Sequence, residues 1–322
     1  MPLIRFGLQI PSFTYPGVPD SALFDRISAI ARTAEDSGFD SIWVMDHFYQ
    51  FFNGGPTDPM LEAYTLLGGI AARTERARLG ALVTGVIYRN PALLAKMVTT
   101  LDIVSSGRAI LGIGAAWKQD EHEGYGSVFP PIKERMERLE DALRICRAMF
   151  AEEAPTYEGR HYSVRSALNY PRPLQRHIPI LVGGGGEQRT LRLVAQYADA
   201  CNLMGDPDTI RHKLDVLEQH CDAVGRDPAE ITKTRLGTLI IRETADEAKR
   251  AVSDMRTTLG LDDEQLLRQA NVTGSPDEVC EQVQSYLDAG LDGLIFNMRD
   301  AQELELVQLA GETLTKRFGK AL

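Results

Sequence analysis

Cysteines are few in this sequence and follow no pattern. The four, Cys146, Cys201, Cys221 and Cys280, are scattered and lack the C-x-x-C spacing of a metal or redox site. Scattered cysteines of this kind are typical of proteins that keep their thiols reduced. The sequence therefore predicts neither a disulfide framework nor a metal centre.

Long apolar runs and an excess of basic residues are also missing. No stretch approaches the roughly 18 apolar residues that span a bilayer, and the first residues follow a strand pattern and not that of a signal peptide. The chain has 35 Lys and Arg against 45 Asp and Glu, a formal net charge of −10, whereas a nucleic-acid-binding face is basic. We expect a cytoplasmic protein without a membrane or nucleic-acid partner.

No linker, low-complexity tract or repeat of about 20–50 residues divides the chain. A short apolar run followed by an amphipathic helix recurs instead, eight times along the sequence. The predicted strands are Leu3–Ile10, Ser41–Met45, Arg78–Val83, Ala109–Gly114, Ile178–Val182, Ala200–Met204, Lys233–Ile241 and Gly293–Asn297. Eight such units favour a closed (β/α)8 TIM barrel over an open doubly wound sheet. We expect one domain over residues 1–322, with 157–176 as an excursion laid over the barrel.

Four consecutive glycines, Gly183, Gly184, Gly185 and Gly186, separate the fifth strand from its helix. Glycines let the backbone approach a ligand closely, and the N-terminus of the following helix favours a phosphate. No Gly-Lys-Ser/Thr follows, so this is not a P-loop. A flexible turn is the alternative interpretation.

Asp46 and His47 close the second strand, at the end of the barrel where active sites lie. A histidine there can exchange protons near neutral pH, and the adjacent carboxylate could orient it. A structural histidine bonded to its loop is the alternative.

The segment Gly112–Trp117 follows the fourth strand and contains part of a dinucleotide fingerprint without its third glycine. We interpret its small residues as room for a flat ring at the barrel mouth. The run Asp120-Glu121-His122-Glu123 lies further along the same loop. It lacks metal-ligand spacing, so we expect a solvated loop face.

At these motifs the chain resembles the luciferase-like monooxygenase superfamily along nearly its whole length. The segments that carry the resemblance are Gly38–Phe48, Arg89–Pro91, Leu101–Asp102, Ser106–Arg108, Gly112–Trp117, Tyr157–Tyr162 and Ile178–Gly184. Their order and spacing are more specific than any one of them. Within the superfamily the chain is most similar to the coenzyme F420-dependent oxidoreductases, with the FMN-dependent monooxygenases and flavin reductases as the alternative.

That resemblance implies a deazaflavin, F420, at the barrel mouth, with FMN as the alternative cofactor. His47 is the catalytic candidate, because the corresponding histidine contacts the ring and donates a proton. A cis peptide is implied at Leu82–Val83, and a phosphate at the glycine run. The predicted cofactor contacts are Asp46, Leu82, Val83, Thr84, Gly114, Ala115, Ala116, Trp117, Gly183, Gly184, Gly185, Gly186 and Met204. The resemblance also implies a homodimer that acts on a small-molecule substrate.

One position departs from the sugar-phosphate dehydrogenases of the group. Trp117 stands where they carry a glutamate that works with the histidine. Either another group, such as the nearby Glu121, replaces it, or the reaction has no alcohol to deprotonate. We prefer the second hypothesis, which indicates reduction of an activated double bond. A non-catalytic flavin-binding barrel is a further alternative.

The acidic tail of the coenzyme needs cations near the barrel mouth. Loop position suggests Lys118, Arg172, Arg176 and Arg189.

Overall fold

Eight parallel strands form the barrel wall in a computed structural model that describes residues 2–52, 55–259 and 272–319. In chain order the barrel strands are Phe6–Ile10, Ser41–Val44, Arg78–Ala81 continued by Thr84–Gly85, Leu111–Gly114, Ile180–Gly183, Ala200–Leu203, Thr232–Ile241 and Gly293–Asn297. The first strand pairs with the second and the eighth. The third and fourth strands close the ring through a parallel bridge between Leu79 and Ala109. The predicted TIM barrel is confirmed.

Helices cover the outside of the barrel. They are Leu23–Ser37, Ala63–Ala71, Pro91–Val104, Gln119–Gly124, Ile132–Ala151, Thr190–Tyr197, Pro207–Val224, Ala245–Leu259, Pro276–Asp288 and Leu304–Phe318. Asn90 caps the third of them, its side chain accepting the Ala92 N–H at 2.9 Å, and Pro91 occupies the first helical position. The sequence pattern predicts a helical stretch from Ala245 to about Arg268; the helix is observed as far as Leu259, and the rest of that range lies outside the described residues. Among the described helices, none combines the length and the apolar character that a membrane crossing requires.

Two segments that were predicted to be irregular contain regular structure. Residues 118–131 include the short helix Gln119–Gly124. The excursion contains a small hairpin, Tyr157–Glu158 paired with Ser163–Val164. Asp141 holds this hairpin by accepting the Tyr157 hydroxyl at 2.9 Å. Both elements are too short to give a hydrophobic period, which is why the sequence did not reveal them.

A single large side chain, Trp43, fills much of the barrel interior. It is fully buried, and a Cβ at Gly80 would lie 2.7 Å from the indole atom Cζ3. A Cβ at Gly7 would lie 2.8 Å from the indole Nε1. Glycines on the neighbouring strands therefore leave the space that Trp43 occupies. The interior is packed below the mouth, and ligands are left with the rim formed by the strand ends.

The four cysteines carry free thiols, as predicted.

Candidate active site

The third barrel strand is interrupted at Leu82–Val83, and this peptide bond is cis, as the resemblance implied. The Val83 side chain lies over the next two strands. A Cβ at Gly114 would approach Val83 Cγ2 to 2.8 Å, and a Cβ at Gly183 would approach Val83 Cγ1 to 2.8 Å. Gln9 donates to the Leu82 carbonyl at 2.9 Å from below. Predicted cofactor contacts on three strands are therefore brought together at the mouth.

The glycine run carries unused hydrogen-bond donors. Gly184 has a φ of +123° and donates its N–H to the Asn202 carbonyl at 3.0 Å. Within the described part of the chain, the amides of Gly185 and Gly186 donate to no acceptor. The helix Thr190–Tyr197 begins after a turn of three residues, 187–189. The predicted phosphate cradle therefore has both the open backbone and the helix N-terminus that it needs.

Lys213 lies beside this glycine run. It was not identified from the sequence as a residue of the site. Its side-chain Cε is 3.7 Å from the position that a Cβ on Gly185 would take. Its ammonium pairs with Glu187 at 2.7 Å. Lys213 belongs to the helix Pro207–Val224, whose amphipathic pattern does not show which of its polar residues faces a neighbouring loop.

His47 is paired with Glu121. The distance from His47 Nδ1 to Glu121 Oε2 is 2.9 Å. The other oxygen, Oε1, accepts the backbone N–H groups of Phe48 at 3.1 Å and Tyr49 at 3.0 Å. Tyr88 donates its hydroxyl to Oε2. A fully buried carboxylate thus has four donors, and it fixes the His47 ring so that Nε2 points away from it.

The charge of Glu121 is maintained against its burial. Burial alone would raise its pKa, but the hydrogen bonds from His47 and Tyr88 outweigh burial and hold the pKa below its ordinary value. Glu121 and His122 are buried, and only Asp120 and Glu123 of that run are exposed. The predicted solvated loop face is therefore wrong for its two central residues. The ring of His122 stacks on Tyr88 at 4.3 Å and 8°, which packs the short helix against the barrel.

A pH dependence of stability follows from the lowered pKa of Glu121. In the unfolded chain the Glu121 carboxyl has a pKa near the ordinary value of 4.5. The stability that the ionised carboxylate contributes to the folded protein is therefore complete above that pH, and it is lost as the pH falls through the pKa of the folded state. The free energy of unfolding should fall more steeply below about pH 4.5 in the wild type than in Glu121→Gln, as measured by urea titration. Glu123→Gln, an exposed change in the same helix, should retain the wild-type slope. Equal slopes in all three proteins would contradict this assignment.

Asp46 has a different role from the one predicted. Its two carboxylate oxygens accept from Arg89 at 2.8 and 2.9 Å, and one of them also accepts the Gly85 N–H at 3.1 Å. Arg89 also pairs with Glu62. Asp46 therefore fixes the loops after the second and third strands, and Glu121 takes the role of orienting His47. Contact between Asp46 and a cofactor stays a prediction.

The remaining predicted contacts surround the same mouth. Thr84 is buried and hydrogen-bonded to the Tyr64 hydroxyl at 2.7 Å. Ala115 and Ala116 are half-buried, and their carbonyls accept from Arg135. Trp117 and Met204 are 62% and 67% exposed, so both present apolar surface to solvent.

The cations proposed for the acidic tail differ in their surroundings. Arg172 donates to the carbonyls of Met149, Phe150 and Glu152 and so closes the end of the helix Ile132–Ala151. The prediction that it binds the tail is therefore not supported. Lys118 pairs with Asp120 at 2.7 Å. Arg176 and Arg189 are exposed.

Known proteins of one family are similar to this chain. Residues 4–293 match the family model of the luciferase-like monooxygenases. The chain is 31% identical over 296 residues to a protein of Kineococcus radiotolerans named F420-dependent glucose-6-phosphate dehydrogenase, covering 84% of this chain and 86% of the relative.

Two solved structures share the fold. Coenzyme F420-dependent tetrahydromethanopterin reductase from Methanopyrus kandleri superposes with a TM-score of 0.80 at 20% identity, covering 98% of this chain and 99% of that one. A type II Baeyer–Villiger monooxygenase from Pseudomonas putida in complex with FMN superposes with a TM-score of 0.74 at 20% identity, covering 99% and 98%. The chain belongs to the luciferase-like monooxygenase family.

Proposed function

We propose that this protein is an oxidoreductase that uses coenzyme F420 to transfer a hydride to or from a small organic substrate. The observation that carries the proposal is the His47–Glu121 pair at the rim of the barrel. It supplies a proton-transfer group beside the surface on which a flat ring is expected. The F420-dependent relative that is similar over most of the chain supports this choice of coenzyme.

The residues at the mouth fit such a coenzyme. The cradle of Gly185 and Gly186, with unused amides and with Lys213 beside it, suits the phosphate. Val83, lying over Gly114 and Gly183, offers an apolar surface for one face of the ring. When bound, the deazaflavin accepts or releases the hydride, and the protein contributes position and electrostatics.

His47 would hold the proton that accompanies the hydride. Glu121 occupies its Nδ1, so Nε2 is the atom that can face a substrate. Among the described residues Nε2 has no hydrogen-bond partner, and the side chain is 14% exposed. A His47 ring that carries protons on both nitrogens can donate from Nε2 and keep its Nδ1 proton on Glu121, which suits it as an acid in a reduction. The preferred reaction is therefore reduction of an activated double bond.

Oxidation of an alcohol is the second candidate. A histidine whose Nδ1 is held by a carboxylate can also accept a proton at Nε2. Glu121 supplies the carboxylate that Trp117 does not, although it comes from the next helix and not from the strand end. The name of the 31% identical relative favours this candidate.

The test is a titration of the cofactor-free protein with F420 and, separately, with FMN, followed by the fluorescence of the exposed Trp117. We expect saturable binding of F420 and weaker binding of FMN. Reduced F420 with 2-cyclohexen-1-one, and oxidised F420 with glucose 6-phosphate, then distinguish the two reactions. Preferential FMN binding would favour a monooxygenase or flavin reductase. Coenzyme binding that remains without turnover of any acceptor or alcohol would favour a non-catalytic flavin-binding barrel.

A further inference from the structure

Three rings at the barrel mouth form a corner. Their centroids are 4.6 Å apart for His47 and Phe51, 5.6 Å for His47 and Trp117, and 5.4 Å for Phe51 and Trp117. The corresponding interplanar angles are 76°, 70° and 82°. Each ring is thus nearly perpendicular to the other two, and we call each ring plane a wall of the corner.

The corner presents apolar surface to solvent beside the proton-transfer group. Trp117 is 62% exposed and Phe51 is 37% exposed. Covering apolar surface stabilises a complex by about 25 cal/mol per Å². A ring seated there would stack on one wall and meet the edges of the other two, the geometries that aromatic rings prefer. The shape and surface therefore suit a flat or ring-shaped ligand.

Lys118 is a cation that lies over the corner, and it is already paired. Its ammonium is 5.4 Å from the Phe51 ring centroid and 5.9 Å from that of Trp117, and it is bound to Asp120 at 2.7 Å. The permanent cations in the ion pairs around His47 are Lys118 and Arg89, and the carboxylates are Asp46, Glu62, Asp120 and Glu121. Arg89 is bound to two of these carboxylates, and Lys118 is bound to a third. A phosphate ester could use Lys118 only after displacing Asp120 from it.

We propose that this corner, formed by His47, Phe51 and Trp117, binds an uncharged ring-bearing carbonyl compound as the substrate. The compound has a C=C bond conjugated with its carbonyl group. Its ring packs on Phe51 and Trp117, and the C=C bond lies within reach of His47 Nε2. The reactive half of this inference rests on the proposed function, whereas the binding half does not. In the reaction the double bond gains a hydride at its β-carbon from the reduced coenzyme and a proton at its α-carbon from His47. Two C–H bonds replace one π bond, and the coenzyme is oxidised by two electrons.

The binding experiment uses the cofactor-free protein and saturation-transfer NMR with two probes, 2-cyclohexen-1-one and glucose 6-phosphate. We expect saturable binding of the enone and none of the sugar phosphate. Phe51→Ala should weaken enone binding about tenfold, because it removes one wall and its buried area. Phe51→Leu keeps apolar area and should weaken it less. Leu168→Ala, which truncates an apolar side chain on the excursion that is 65% exposed, is the control and should change nothing.

Two results would overturn the inference. One is enone binding that is unaffected by Phe51→Ala. The other is saturable binding of glucose 6-phosphate that is lost in Lys118→Met, which would assign the site to an anionic substrate. Coenzyme titrations on the same variants separate this inference from the proposed function. If the enone binds and F420 does not, only the proposed function fails; if F420 binds and the enone does not, only the substrate class fails.

Discussion

His47→Gln is expected to lower kcat by about 10²–10⁴-fold, the usual contribution of a positioned acid or base. Glutamine keeps a polar side chain of similar reach but carries no proton that it can exchange near neutral pH. The affinity for F420 should change by less than about threefold, because the substitution leaves the glycine cradle and Lys213 intact. Steady-state kinetics and fluorescence titration of the same preparation measure both quantities.

His177→Gln is the matched control for this change. His177 also pairs with a carboxylate, Asp199 at 2.7 Å, but it precedes the fifth strand at the opposite end of the barrel. Its substitution should leave kcat unchanged. A His47→Gln protein that retains wild-type kcat would remove His47 from the reaction.

Glu121→Gln is expected to lower kcat by about 10²-fold through the tautomer of His47. The carboxylate accepts from Nδ1, so Nδ1 carries a proton and Nε2 faces the site. An amide NH₂ in the same place would donate to Nδ1 and leave the neutral ring protonated at Nε2 only. Such a ring cannot take up a proton at Nε2, and it could donate the one it has there only by becoming an imidazolate, so it is a poor acid and no base. Loss of the correct tautomer is costly in other histidine–carboxylate pairs. The ¹⁵N resonances of His47 in the cofactor-free protein report the tautomer directly.

Tyr88→Phe separates the positioning of His47 by Glu121 from the packing of the loops around it. It removes one donor to Glu121 and keeps the ring on which His122 stacks. We expect a loss of less than about tenfold in kcat and an unchanged His47 tautomer. If Glu121→Gln leaves both the ¹⁵N spectrum and kcat unchanged, then Glu121 only holds the loop.

The barrel and its mouth were predictable because their signals are local or periodic. Alternating strands and helices determined the wall, and the position of each strand end determined where Val83, Gly114 and Gly183 meet. The open backbone of the predicted phosphate site was visible as four consecutive glycines. These features depend on residues that are close together in the chain or that recur with a fixed period.

The sequence offered Glu121 only as one open alternative, and the contacts around His47 could not be predicted for the opposite reason. Glu121 lies in a six-residue helix too short to show a period, and its burial depends on donors from two other loops. Phe51 reaches the corner from the loop after the second strand. Lys213 reaches the glycine run from a different helix. Each contact is fixed by tertiary packing, so a charged or aromatic residue in the sequence does not reveal which neighbour it will meet.

The loop after the fourth strand carries residues for both of the roles that we propose at the mouth. It carries Trp117, which forms a wall of the corner, and Glu121, which orients the proton-transfer histidine, only four residues apart. During evolution, replacement of this segment would alter substrate choice and proton transfer together, while the barrel and the phosphate cradle stay as they are. Within such a family, substrate and proton-transfer chemistry are then expected to change together when this loop is exchanged. Grafting residues 115–131 from one relative onto another would reproduce such a change.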